Sequence, residues 1–137
     1  MDEEMQGAFT IGDLARRIGV NIETIRYYER VGLMPRPKRT PGGQRTYDES
    51  DLHTLRFIRK ARELGFHIED TRALLACRGA DEACTDVKAI AQRHLEKVRA
   101  EMRRASEVER ILADAVGRCS GGPASECSVL KVLEYAA

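Results

Sequence analysis

The sequence predicts a mainly all-α fold in three parts: a winged helix-turn-helix domain, a long antiparallel coiled-coil dimerisation helix, and a C-terminal metal-binding loop. Three observations lead there. Two short capped helical segments stand near the N-terminus, followed by a basic stretch rich in Pro and Gly. From Thr85 to Val116 there is neither Pro nor Gly, and apolar residues repeat in steps of three and four. Cysteines sit beyond both ends of that stretch. Composition agrees, because 33% of the 137 residues are charged, 5% are aromatic and none is Trp. That suits a charge-covered helical protein better than a β-sandwich or a large enzyme core. The expected parts are a tail at 1–8, a DNA-binding domain at 9–76, a connector at 77–84, the dimerisation helix at 85–117, and the metal loop with a short helix at 118–137.

Thr10 opens T-I-G-D, an N-cap with an acid three residues on, and Ile11, Leu14, Ala15 and Ile18 follow at helical spacing until Gly19. Asn21 caps a second helix, I-E-T-I-R-Y-Y-E-R, which stops at Gly32. Two short helices joined by Ile-Gly-Val make either a helix-turn-helix, whose second member lies in the DNA major groove, or a structural helical hairpin. Arg26, Tyr27, Tyr28 and Arg30 crowded on the second helix favour DNA. The following PRPKRTPGGQRTY holds three of the four prolines and a Gly-Gly pair, so it reads as a small hairpin, or wing, with a flexible linker as the alternative. Arg36, Lys38, Arg39 and Arg45 favour a wing that contacts phosphates. Asp48 then caps a helix with Leu52, Leu55, Phe57 and Ile58 inward, and after the Gly65 break a short helix runs from about Ile68 to Leu75.

The long helix carries Val87, Ile90, Leu95, Val98, Met102, Ala105, Val108 and Leu112 along one seam. At 1.5 Å per residue it spans ~46 Å, more than a small domain can bury by itself. An intramolecular partner is the alternative, but too little chain remains to cover it, so a second copy in antiparallel register is expected. Gly117 ends the helix, C-S-G-G-P-A-S-E-C forms a tight loop, and Ser128 to Tyr135 makes a last short helix.

Net charge is only +1, yet twelve Lys/Arg against five acids between Arg16 and Arg62 give that half a local +7. The acidic start MDEEMQGAFT is unlike a signal peptide and no apolar run reaches membrane-span length, so a cytoplasmic protein without a membrane partner is expected. There the four thiols read as metal ligands or redox groups rather than disulfides. A thiol enzyme lacks support, for there is no C-x-x-C, no nucleotide-binding glycine fingerprint and no βαβ pattern.

Cys84 heads the long helix, while Cys119 and Cys127 bracket the loop past its far end. In an antiparallel dimer, Cys84 of one chain meets Cys119 and Cys127 of the other. A thiol at a helix N-terminus is stabilised as thiolate. Three sulfurs without a fourth good donor suit Hg(II) or Pb(II) better than structural Zn(II), with Cd(II) and Cu(I) also in the soft class. Cys77, seven residues before Cys84, is either a fourth ligand or an ordinary half-buried thiol, the latter being favoured.

The segment T-I-G-D-L-A-R-R-I-G-V-N-I-E-T-I-R-Y-Y-E-R-V-G-L, the wing G-G-Q-R-T-Y and F-I-R-K-A-R-E-L-G-F together resemble the MerR family of transcription regulators, from Phe9 to the final helix. The resemblance implies a homodimer on promoter DNA that represses without inducer. With inducer it distorts the duplex so that RNA polymerase engages. By position it implies DNA contacts from Arg26, Tyr28, Arg45 and Tyr47. A Cys at position 84 resembles divalent-ion sensors, and the trio Cys84, Cys119 and Cys127 resembles the mercury sensors' set, making Hg(II) the expected ligand. Seven residues between Cys119 and Cys127 match copper sensors, whereas mercury sensors usually have eight, and the loop also resembles those of lead and cadmium sensors.

Overall fold

The computed structural model describes residues 8–79 and 85–135. Cys84, residues 1–7 of the expected tail and residues 80–83 of the expected connector lie outside them. The chain divides into two compact units, residues 1–90 and 91–137. The division falls inside the long helix, and the buried Ile90 is the last residue of the first unit.

In the first unit, α1 (Ile11–Ile18) starts on a reciprocal capping box: the Asp13 amide donates to Thr10 Oγ1 and the Thr10 amide to Asp13 Oδ2, both at 3.1 Å. It ends at Gly19, whose φ of 82° lies in the left-handed region that favours glycine. α2 (Ile22–Arg30) is capped by Asn21, whose Oδ1 accepts from the Thr24 amide at 2.9 Å. The expected wing is an antiparallel hairpin of β1 (Lys38–Arg39) and β2 (Arg45–Thr46), with Lys38 opposite Thr46 and Arg39 opposite Arg45. Its turn closes through Gly43, at φ 83°. A further bridge joins Phe9 to Tyr47.

α3 (Glu49–Glu63) has a second capping box, between Asp48 and Asp51, and buries Leu52, Leu55, Ile58 and Ala61. Phe57, expected inward, is only half-buried and lies under the Arg78 guanidinium, 5.7 Å from the ring centre. Ala61 occupies the fourth inward position because the buried stripe advances in threes from Leu52. α4 (Ile68–Cys77) packs on α3 and runs two residues beyond the expected Leu75. One core joins these elements, with Leu14, Ile18, Ile25, Leu33, Met34, Leu55 and Ile58 at its centre. Two arginines from the later helices also close the earlier ones. Arg59 donates to the Ile18 carbonyl at the end of α1, and Arg72 to the Val31 carbonyl at the end of α2, 2.6 Å away.

α5 (Thr85–Arg118) enters the second unit at Ala91. It passes through Gly117, where the sequence predicts a stop. A helical Gly costs only about 1 kcal/mol, and Arg118 reaches back across that turn to Asp114 at 3.3 Å. A 3₁₀ turn at Ala124–Glu126 leads into α6 (Ser128–Tyr135), which has the bounds expected of it. Ala115 is buried, and residues of α6 line a pocket with its neighbours Asp114 and Arg118. Among the described residues, no helix is long and apolar enough to cross a membrane.

Candidate nucleic-acid interface and metal centre

Helix α2 and the wing form a groove of about 550 Å³ lined by Arg26, Arg30, Arg36, Arg39 and Arg45, with one carboxylate, Glu29, among them. Local geometry sets most of these cations. Arg26 pairs with Glu23 at 2.9 Å, one turn back on α2. Arg30 lies over the Tyr27 ring, 5.7 Å from its centre. Arg39 donates to the Gly43 carbonyl at 2.8 Å, and Lys38 pairs with Asp48 at 3.4 Å. The pairs are mostly solvent-exposed and therefore weak enough to yield to phosphate oxygens.

Two of the nine residues expected to contact DNA are not free surface groups. Tyr28 is 7% exposed and Tyr47 2%, and both belong to the core. Tyr28 turns inward because its position on α2, three residues after Ile25, is on the helix's buried face. Tyr47 follows β2 and is held by two backbone bonds to Phe9, at 2.7 and 2.9 Å. Its hydroxyl lies 3.2 and 3.4 Å from the two carboxylate oxygens of Glu29 and donates to them. Burial, seconded by the Glu29 charge, pushes its pKa up to about 12. Glu29 also accepts from Arg45 at 3.4 Å, although its side chain is only 9% exposed. Sequence reasoning missed Glu29, whose partners lie 16 and 18 residues away and leave no local signature.

In the second unit, Cys119 follows the last turn of α5 and Cys127 immediately precedes α6, with their sulfurs 3.9 Å apart. A disulfide needs about 2.05 Å. Two thiolates sharing an ion at ~2.3 Å each stand ~3.8–4.0 Å apart for tetrahedral to trigonal angles. The pair therefore has chelating separation. The Leu130 amide, helped by that of Val129 and by Cys119, holds the Cys127 thiol below its ordinary pKa, against the opposing effect of desolvation. Helix-terminal thiolate stabilisation, expected at Cys84, is thus visible at Cys127, where the start of α6 supplies it. Cys77 ends α4 as a half-buried free thiol in the first unit. Among the described residues, no group of three His, Cys, Asp or Glu gathers as a metal site. Cys84, the expected third ligand, lies outside them.

The eight seam positions differ in burial. Ile90, the last residue of the first unit, is buried within the single chain. Val87 and Val98 are half-buried, whereas Leu95, Met102, Ala105, Val108 and Leu112 are exposed. Ala105, Val108, Leu112 and Val116 line an apolar groove of about 740 Å³.

Residues 9–77 match the model of the MerR HTH family regulatory proteins, and residues 52–115 match a second model, the MerR DNA-binding region. The chain is 41% identical over 133 residues to the HTH-type transcriptional regulator ZntR of Escherichia coli, covering 94% of each chain. It is 39% identical over 127 residues to a mercuric resistance operon regulatory protein of Bacillus cereus, covering 91% of this chain and 96% of that one. The transcription regulator PbrR691 of Ralstonia metallidurans, solved in complex with lead(II), superposes with a TM-score of 0.77 at 34% identity over 91% of this chain and 98% of that one.

Proposed function

Because this chain belongs to the MerR family of helix-turn-helix regulatory proteins, and is accordingly a transcription regulator rather than an enzyme, we propose that it is a cytoplasmic homodimer that represses a promoter without metal and activates it with Hg(II). The observation that carries the metal is the thiol pair: two sulfurs at 3.9 Å, one of them with a lowered pKa at the head of α6. Cys119 and Cys127 would hold the ion together with Cys84 of the partner subunit. Hg(II) is a soft acid for which thiolates are preferred ligands, and a three-sulfur set leaves no demand for a fourth donor. The relatives include both a mercuric resistance regulator and a regulator solved with lead(II), and Pb(II), Cd(II) and Zn(II) are the alternative inducers for the same mechanism.

The basic groove supports double-stranded DNA as partner. Arg26, Tyr27 and Arg30 on α2 are the major-groove side chains, and Arg36, Lys38, Arg39 and Arg45 hold phosphates. Tyr28 and Tyr47 act from the core, setting where those groups stand. The exposed seam of α5 supports the homodimer, because an uncovered apolar groove of that size marks an interaction surface. Metal capture would alter the promoter's shape rather than its occupancy, allowing RNA polymerase to engage it.

The deciding experiment is transcription in vitro from a promoter containing a duplex selected by the chain, titrated with Hg(II), Pb(II), Cd(II), Zn(II) and Cu(I) under matched thiol buffering. Activation at the lowest concentration by Hg(II) is expected, and a different ion in first place would overturn the mercury assignment. Silence towards all five would overturn the metal switch.

A further inference from the structure

We propose that Glu29 is a positioning and specificity-determining residue of the DNA-binding face: its buried carboxylate locks the wing to α2 and weakens the field of the surrounding arginines, so that duplexes are sorted by fit rather than held by charge. The inference rests on reading that face as the duplex-binding surface. Five guanidiniums line the groove, drawn from α2, from the segment before β1 and from the hairpin, and Glu29 is the carboxylate set among them. Glu29 projects from α2, yet its bonds run to Tyr47 and Arg45 of the wing. No other described side-chain hydrogen bond joins α2 to the hairpin. Core packing of Tyr28 and Tyr47 brings the wing against the reading helix, and Glu29 is the group that ties the two by side-chain hydrogen bonds and restrains Arg45.

Two physical consequences follow. Phosphate contacts supply affinity without sequence information, and their strength grows with the number of unpaired cations. A carboxylate engaged with Arg45 reduces that number and restrains where Arg45 points. Specificity is a difference of affinities, so lowering the charge-driven background raises discrimination even when the best complex gains nothing. A residue that merely stabilised the fold would have no reason to change the two affinities by different factors.

The test uses the full-length chain and two duplexes of equal length and composition, one selected by the wild-type chain from a random pool and one scrambled. Glu29→Gln keeps the size and an acceptor for the Tyr47 hydroxyl but removes the charge. It should bind the scrambled duplex about 3- to 10-fold more tightly, with a salt dependence steeper by about one phosphate. Its ratio of selected to scrambled affinity should fall by about 10-fold. Glu29→Asp keeps the charge but shortens the reach; scrambled affinity should stay within about 2-fold of wild type while the ratio falls. Tyr47→Phe, which removes one tether and no charge, should behave like Glu29→Asp.

An unchanged ratio in Glu29→Gln, beside a wild type that discriminates, would overturn the role of Glu29 alone. Equal weakening on both duplexes, with a lowered melting temperature, would also overturn it and leave a purely structural carboxylate. A wild-type chain that selects and binds no duplex would overturn the DNA reading itself, and this inference with it.

Discussion

Replacing Val108 and Leu112 together by Glu should separate the proposed dimer into monomers. Both side chains line the apolar groove of α5 and remain 46% and 45% exposed in the single chain. Complete burial of a Val or Leu side chain is worth about 1.5–3 kcal/mol, so roughly 1 kcal/mol per residue awaits a partner. A two-fold interface uses each position twice, which brings the loss to about 4 kcal/mol. At 1.4 kcal/mol per tenfold, the dissociation constant should rise by about three orders of magnitude, and more once the desolvation of four carboxylates is included. Sedimentation equilibrium across a range of concentrations measures this directly. Arg110→Glu is the control, since Arg110 lies about 160–200° around the helix from these two positions and is engaged with Glu107 at 3.6 Å. Circular dichroism would show whether the helix survives. If the double variant self-associates as tightly as wild type, the apolar seam is not the dimer contact. If wild-type protein is monomeric throughout, the case for a second copy fails.

Other outcomes are equally specific. Cys84→Ser and Cys127→Ser should each abolish or greatly weaken divalent-metal induction while operator binding in gel-shift titrations stays within about 2-fold of wild type; parallel loss of DNA binding would contradict the division between the two functions. Arg26→Ala should weaken binding to the selected duplex with or without metal, by about 1–3 kcal/mol at fixed salt, and unchanged affinity would argue against α2 as the reading helix. Tyr47 should make folding sensitive to alkali. Its folded pKa is raised from 10.0 to about 12, so the stability it contributes is complete below pH 10 and is lost as the pH rises towards 12. Two units correspond to about 2–3 kcal/mol. Denaturant unfolding of wild type and Tyr47→Phe should therefore show a gap at about pH 9 that narrows by about pH 11.5; a gap constant across that range would refute the assignment.

What was legible in the sequence is what closes within a few residues. The capping boxes of Thr10 with Asp13 and Asp48 with Asp51 bond across three residues. The Gly43 turn of the wing and the bounds of α6 are local in the same sense, because adjacent residue types supply both partners of the interaction. The apolar periodicity of α5 was legible for a related reason, since the three- and four-residue steps from Val98 through Met102, Ala105 and Val108 to Leu112 are local to the helix.

The tertiary structure decided what such spacing cannot. Tyr47 carries the same amphipathic side chain as the exposed Tyr27, and packing from elsewhere in the chain, with its bonds to Phe9, makes it a core residue. Glu29 reads as one more charge on a polar helix until the wing, 16 and 18 residues later, encloses it. Arg59 and Arg72 close helices that end 41 residues before them. The amides of Leu130 and Val129 at the start of α6 lower the pKa of the Cys127 thiol. Burial and long-range hydrogen bonds depend on which distant segments are brought together, and no window along the chain contains both halves of that information.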